Sequence, residues 1–249
     1  MAKNPFGILL LHGFSSTPDN FRELVPYIDA LGLPYRSPTL RGHGAETPEA
    51  LSGVDWTEWL AGGEDALLEL LTEVEKAIVI GHSMGGWIAL NLAVDQREKL
   101  DCIIIAGAST RSVSPLGPGR PLHFLVPIIV KLVKKWDWPP VYADPELAQY
   151  EPAYRWIPTG SFIQLFGFMK ATGKRFSEVN IPILILHSKN DSASSPQGAE
   201  ILYDSISTPK DKKRLVWFEK TEHSMFLDCE REEVNRTVVE YVKERIKDQ

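Results

Sequence analysis

The stretch Ala77-Ile78-Val79-Ile80-Gly81-His82-Ser83-Met84-Gly85-Gly86 predicts a strand, a serine-bearing turn and a helix in direct succession. Four consecutive apolar residues that end in glycine are typical of a strand buried on both faces. The pattern Gly-x-Ser-x-Gly in this context predicts a sharp turn that exposes the Ser83 hydroxyl at the strand end. A helix is predicted behind it, over residues 84–94. Ser83 is therefore the candidate nucleophile.

The same alternation of short apolar runs and helical periodicity extends to both sides of this stretch. Strands are predicted at 8–11, 35–40, 77–80, 102–106, 183–186 and 214–218, and helices at 19–31, 56–74, 84–94, 196–206 and 230–246. Alternating strands and helices form right-handed crossover units. The sequence thus predicts an α/β fold with a doubly wound, mostly parallel sheet of about six strands.

Residues 109–179 interrupt this alternation. No strand is predicted there; prolines and aromatic residues are frequent, and two apolar helices are predicted at 122–133 and 162–169. We expect a helical cap subdomain, inserted before the strand that precedes Asp191, over the edge of the sheet where sites lie in open α/β folds. The core that carries the sheet would then consist of residues 1–108 and 180–249.

Composition narrows the class of protein. The chain has 249 residues, of which 43% are hydrophobic and 24% charged, with a net charge of −6. This balance suits one large globular domain and argues against a nucleic-acid partner. Two cysteines are too few for a disulfide-stapled secreted protein, and neither has metal-site spacing, so we expect no metal. No signal peptide or membrane span is predicted, so we expect a cytoplasmic protein without stable membrane anchoring.

A serine hydroxyl needs a base to take its proton, and six histidines are candidates. These are His12, His43, His82, His123, His187 and His223. His223 follows the last predicted strand, at the same sheet edge as Ser83, which makes it the preferred base. His82 neighbours the nucleophile, but its place on the turn directs it elsewhere.

The acid that orients the base should lie between Ser83 and His223, in the order Ser, Asp, His. Asp191 follows the predicted strand at 183–186, and the loop after 102–106 offers no acid. Asp191 is therefore the candidate acid, and Asp228 is interpreted as a cap of the last helix. For the oxyanion hole we predict the backbone N–H groups of Met84 and Phe14.

These motifs carry a family resemblance. The segments Leu-Leu-His-Gly-Phe (10–14), Arg-Gly-His-Gly (41–44), Gly-His-Ser-Met-Gly-Gly (81–86), Asn-Asp (190–191) and Glu-His-Ser-Met-Phe-Leu-Asp (222–228) resemble small bacterial carboxylesterases and monoacylglycerol lipases of the α/β-hydrolase superfamily. The resemblance spans nearly the whole chain and is weak in residues 109–179. It implies a Ser83–Asp191–His223 triad, oxyanion donors at Phe14 and Met84, and neither metal nor cofactor.

We therefore expect a serine hydrolase that cleaves carboxylic esters through an acyl-enzyme on Ser83. The expected substrate is a small ester with an apolar acyl chain, because the cap is apolar and carries few charges. Residues predicted to contact it are Phe14, Leu125, Ile129, Phe162 and Phe166. Thioesterase, carbon–carbon hydrolase and acyltransferase chemistry stay open, as does a non-catalytic small-molecule receptor on the same scaffold.

Overall fold

The structure, a computed structural model, describes residues 3 to 247 and contains one parallel sheet of six strands. In chain order the strands are β1 (Asn4–Leu11), β2 (Tyr35–Arg36), β3 (Val74–His82), β4 (Leu100–Ala106), β7 (Ile183–Ser188) and β8 (Lys213–Phe218). Their spatial order is β2-β1-β3-β4-β7-β8, and every neighbouring pair is parallel. The predicted α/β architecture with six strands is confirmed.

The central strands are apolar along their length because both faces of the sheet are covered. Ile8 pairs with Ile78, and Ile104 pairs with Leu184, all of them buried. The second strand is shorter than the predicted 35–40. Pro38 has no N–H to donate to a ladder, which accounts for pairing that ends at Arg36.

Helices cover the two faces as separate layers. They are α1 (Val25–Asp29), α2 (Trp56–Leu70), α3 (Met84–Asp95), α7 (Pro196–Ser205) and α8 (Arg231–Lys247) in the core, with α4 (Val126–Leu132), α5 (Pro145–Ala148) and α6 (Ser161–Gly173) in the insertion. One apolar cluster joins α2, α3, α6 and α7 to the sheet, and a second joins α1 and α8 to its other face. No helix within residues 3–247 is long and apolar enough to cross a membrane.

Two predicted helices differ in extent from those observed. The helix predicted over 19–31 divides into a 3-10 turn at Pro18–Phe21 and the short α1. The helix predicted over 56–74 ends at Leu70, because Val74 already pairs with Asn4 in the sheet. Its beginning is fixed by a capping box, in which the Asp55 side chain accepts from Thr57 N–H and Glu58 accepts from Asp55 N–H.

The insertion contains the two predicted helices, as α4 and α6, but also two strands that the sequence did not indicate. Strands β5 (Lys135–Asp137) and β6 (Trp156–Pro158) form a small antiparallel pair, with Trp136 opposite Ile157. The expectation of no strand in this segment is wrong. Three residues are too few to display an alternating pattern, and the neighbouring prolines are typical of loops. The division of the chain into core and cap at 108/109 and 179/180 stays a prediction.

The assignment of Asp228 as the side-chain cap of the last helix is also wrong. Helix α8 begins at Arg231, whose N–H donates to the main-chain oxygen of Asp228. The Asp228 carboxylate instead accepts from Ala143 N–H in the insertion and from Glu222 N–H, six residues earlier in its own loop. It serves contacts between loops rather than the helix end.

The lowered pKa values of two buried histidines lead to a prediction of how the stability of the fold depends on pH. His12 accepts from Leu40 N–H through Nε2, so its proton lies on Nδ1, which donates to the Gly13 carbonyl. Burial, with the neighbouring His43 charge, lowers the pKa of His12 to about 3, and burial lowers that of His43 to about 4. Both are neutral in the folded state at pH 5, whereas unfolded histidines are protonated below about pH 6.5.

Because only the unfolded state takes up these protons, folding stability is expected to fall as the pH falls below about 6.5. Each histidine contributes a slope approaching about 1.4 kcal/mol per pH unit. Urea unfolding followed between pH 7 and 5 measures this slope. His43→Gln, which cannot titrate, should reduce the slope by one histidine's share, and an unchanged slope would contradict the assignment.

Candidate active site

Ser83 lies on a turn whose backbone is strained. Its φ is 52° and its ψ is −114°, one of two non-glycine residues with positive φ among those described. The turn is held by the Ser83 N–H, which donates to the Ala106 carbonyl at 2.8 Å, and by Gly86 N–H, which donates to the Ser83 carbonyl at 2.9 Å. The end of β3, the start of α3 and the end of β4 together fix the position of Ser83.

The glycines of the turn are required by close backbone approach. A Cβ atom on Gly81 would collide with the backbone of Gly85, and one on Gly85 would collide with the main chain of Leu11. Neither obstacle is a flexible side chain, so no rotamer change relieves the overlap. The small residues predicted from the motif are those that the turn geometry needs.

The structure brings Ser83, His223 and Asp191 together. His223 Nε2 lies 2.9 Å from Ser83 Oγ, and His223 Nδ1 lies 2.8 Å from Asp191 Oδ2. Ser83 follows β3, Asp191 follows β7 and His223 follows β8, so the site assembles where the carboxyl ends of parallel strands meet. The spacing permits a proton to pass from the serine hydroxyl to the imidazole.

Opposing effects set the charges of Asp191 and His223. Burial would raise the pKa of Asp191, but the His223 charge and hydrogen bond outweigh it and hold that pKa below its ordinary value. Asp191 also accepts from Ala193 and Ser194 N–H through Oδ1. Burial would lower the pKa of His223, but the adjacent Asp191 carboxylate raises it overall. Asp191 is thus an anion suited to stabilising the imidazolium form of His223.

Two further histidines contact this group; the sequence analysis considered both as candidate bases but assigned neither of them a role. His82 Nε2 lies 2.9 Å from the His223 carbonyl oxygen. Burial, with the nearby charge of His223, lowers the pKa of His82 to about 3, so a neutral His82 donates its Nε2 proton to that oxygen. His187 Nε2 lies 3.1 Å from the Ser194 carbonyl and 3.7 Å from Asp191 Oδ2. The sequence signals for them were their places near the ends of β3 and β7 and, for His82, its position next to Ser83.

The loop after β1 runs directly against Ser83. A Cβ atom on Gly13 would lie 3.3 Å from the Ser83 Cβ, which explains glycine at this position. The next residue is Phe14, whose ring makes edge contacts with Trp59 and Trp138. Met84 is the first residue of α3, where N–H groups have no acceptor within the helix. The assignment of Phe14 and Met84 as oxyanion donors stays a prediction.

A cavity of about 440 Å³ lies between the insertion and the sheet and includes Ser83 and His223 in its wall. Four of the predicted substrate contacts border it: Phe14, Ile129, Phe162 and Phe166. Leu125 does not border it, because α4 presents Val126, Ile129 and Val130 to the cavity instead. Other apolar wall residues that the sequence interpretation missed are Trp87, Leu116, Leu165 and Met169. Such a size and lining are typical of small-molecule sites.

Within residues 3–247, no group of three or more His, Cys, Asp or Glu side chains is arranged to hold a metal ion.

Comparison with known proteins was made on sequence and on structure. The family model described as Hydrolase_4, serine aminopeptidase S33, matches residues 6–230. The chain is 28% identical to the thermostable monoacylglycerol lipase of Bacillus sp. (strain H-257), over 90% of this chain and 85% of that protein. It is 25% identical to a carboxylesterase of Bacillus subtilis (strain 168), over 95% of this chain and 92% of that protein.

Solved structures share the fold at lower identity. A structure from a study of the metagenome-derived lipolytic enzymes LipS and LipT has a TM-score of 0.87 and 22% identity, covering 98% of this chain and 95% of that one. The monoacylglycerol lipase of Paleococcus ferrophilus has a TM-score of 0.79 and 18% identity, covering 98% and 96%. The fold is that of the α/β-hydrolases, and the chain belongs to the serine aminopeptidase S33 family.

Proposed function

We propose that this protein is a serine hydrolase that cleaves carboxylic esters of apolar acids, of the carboxylesterase or monoacylglycerol lipase type. The observation that carries the proposal is the hydrogen-bonded series Asp191–His223–Ser83, which opens onto a largely apolar cavity. Relatives named monoacylglycerol lipase and carboxylesterase, each aligned over most of both chains, support the same reaction class.

The first half of the reaction forms an acyl-enzyme. His223 Nε2 takes the Ser83 proton as Oγ attacks the ester carbonyl carbon, and Asp191 stabilises the resulting imidazolium. The N–H groups of Phe14 and Met84 would hold the negative oxygen of the tetrahedral intermediate. His223 then gives its proton to the departing alkoxide, and the alcohol leaves. In the second half, His223 activates a water molecule that releases the acid and regenerates Ser83.

The cavity suggests where each part of the ester lies. Apolar side chains of α4 and α6 would enclose the acyl chain. The wall of the cavity beside His223 is more polar. Glu151 borders the cavity there, and its carboxylate accepts from the Ser224 hydroxyl at 3.0 Å. An alcohol with free hydroxyl groups would find an acceptor there, as the glycerol of a monoacylglycerol has. This arrangement supports a monoacylglycerol over an ester of an apolar alcohol.

The outer surface of the cap is suited to reaching such a lipid. Phe124, Ile128 and Leu132, spaced four residues apart, are 70%, 54% and 78% exposed. Five basic residues and no acidic residue occur between positions 109 and 136, although the chain as a whole has a charge of −6. An exposed apolar stripe among basic residues favours reversible contact with an anionic lipid surface.

The first test is hydrolysis of p-nitrophenyl butyrate. Ser83→Ala is expected to lower kcat by about 10⁴–10⁶-fold, because the nucleophile is lost. Asp191→Asn should cost about 10⁴-fold, because His223 loses its orientation and its counter-charge. Melting curves must match wild type for either result to count. A Ser83→Ala rate within tenfold of wild type would exclude this mechanism.

The ester assay, combined with labelling of Ser83 by a fluorophosphonate, distinguishes the other reactions that the sequence analysis left open. Labelling of Ser83 by a fluorophosphonate without turnover of any p-nitrophenyl ester would indicate a thioesterase, a carbon–carbon hydrolase or an acyltransferase. Very slow turnover with tight binding of an apolar ligand would indicate a receptor.

Chain-length preference tests the acyl cavity. Each methylene buried there should contribute about 0.8 kcal/mol, or about fourfold in kcat/KM, until the cavity is full. Ile129→Trp narrows the cavity and should move the optimum to shorter acyl chains. Ile128→Trp is the matched control, because this neighbour on α4 is exposed and does not border the cavity. An identical shift in both variants, or in neither, would contradict the assigned acyl site.

Contact with lipid surfaces is tested by co-sedimentation with vesicles. Binding should be stronger to phosphatidylcholine mixed with phosphatidylglycerol than to phosphatidylcholine alone. Phe124→Ser should weaken it about tenfold or more, because one aromatic ring no longer enters the lipid. The control is Tyr27→Ser. Tyr27 is an exposed aromatic residue on α1, which packs on the opposite face of the sheet from α3 and α6. Equal binding by wild type and Phe124→Ser would exclude this surface.

A further inference from the structure

The carboxylate of Asp228 is fully buried and accepts four hydrogen bonds. Its Oδ2 accepts from Ala143 N–H at 2.9 Å, from the Thr221 hydroxyl at 3.0 Å and from Glu222 N–H at 2.7 Å. Its Oδ1 accepts from Asp144 N–H at 3.1 Å. All four donors are neutral groups, and a buried carboxylate is costly to keep unless such donors surround it.

The four donors belong to two different parts of the molecule. Ala143 and Asp144 belong to the insertion, immediately before α5. Thr221 and Glu222 belong to the base loop, residues 219–230, and directly precede His223. One charge therefore joins the cap to the segment that carries the base. If segment 141–144 moved away from the base loop, the carboxylate would lose two of its four donors.

Other contacts reinforce the same junction. Ser224 N–H donates to the Val141 carbonyl at 3.2 Å, on the far side of His223 from Asp228's donors. Glu222 also accepts from Ser192 N–H, which ties the base loop to the turn that carries Asp191. On the core side, His82 donates its Nε2 proton to the His223 carbonyl oxygen. The backbone on both sides of the base is thus fixed by the cap as well as by the core.

Catalytic geometry makes this fixation matter. Misplacement of a reacting group by about 1 Å can cost about 10²-fold in rate. Glu222 N–H lies one residue before His223, so its bond to Asp228 acts almost directly on the position of the imidazole. We infer that Asp228 is a positioning residue that holds His223 in line with Ser83, and that it does so only while the cap segment 141–144 is seated. The inference rests on the proposed serine hydrolase mechanism, which needs His223 as base.

Two variants break the junction from opposite sides. In Asp228→Asn the amide oxygen can keep the three donors of Oδ2, but the amide nitrogen then faces Asp144 N–H, so a cap-side bond is lost. Thr221→Val removes one base-loop donor with almost no change of shape. Each should lower kcat and the rate of Ser83 labelling by a fluorophosphonate about 10–100-fold with KM changed little. Thr221→Ser keeps a hydroxyl and should keep most of the rate.

Matched controls separate positioning from general loss of stability. Asp101→Asn alters another buried carboxylate, which pairs with Arg245 away from the site, and Thr237→Val removes a hydroxyl from α8. These should label Ser83 at the wild-type rate, even where Asp101→Asn lowers Tm. The inference would be overturned if the Asp228→Asn protein has a lower Tm but its Ser83 is labelled at the wild-type rate. It would also be overturned if Ser83 is labelled as slowly in Thr221→Ser as in Thr221→Val.

The labelling rate also keeps this test independent of the substrate. If wild type labels at Ser83 but turns over no ester, the proposed reaction fails, while the comparison of labelling rates among the variants still decides the role of Asp228.

Discussion

The positive φ of Ser83 is the constraint on which the site depends. A serine in this conformation is unfavourable by itself and persists only because the surrounding backbone determines it. The Ser83 N–H donates to the end of β4, and its carbonyl accepts from the first turn of α3. Gly81 and Gly85 allow other backbone segments to approach so closely that a side chain at either position would collide with them. The cost of the strain is offset by a fully packed sheet on both sides, in which β3 is the central element.

From that fixed point, the parallel sheet explains the rest of the constellation. Strands β3, β7 and β8 end at one edge, so residues far apart in sequence meet there without any local signal between them. The triad order along the chain follows from the order of these strands. The insertion leaves the sheet at the same edge, after β4, and so encloses the cavity in front of Ser83.

This logic also explains what could be predicted from the sequence. Ser83, Asp191 and His223 each follow a strand that the apolar pattern predicts, and strand ends in an α/β fold can be assigned from such patterns. Which face of α4 borders the cavity could not be predicted from the sequence. Leu125 and Val126 are both apolar, and the segment is apolar nearly all round. Strands β5 and β6 pair over only three residues. Asp228 resembled a helix cap because no local pattern indicates its hydrogen-bond donors, which lie at Ala143 in the insertion and at Glu222 earlier in its own loop.

The cap therefore combines two kinds of contact with different tolerance to change. Apolar contacts around the cavity are non-directional, so substitutions of similar volume would alter the fit of the proposed acyl chain without moving His223. The bonds around Asp228 are directional and surround a buried charge, so loss of one donor leaves that charge underpaired. On the proposed function, substrate preference would vary along α4 and α6 while the Asp228 junction, as inferred above, keeps His223 in place. Because that junction uses main-chain donors at Ala143 and Asp144, it constrains the path of the cap backbone more than the cap's side chains.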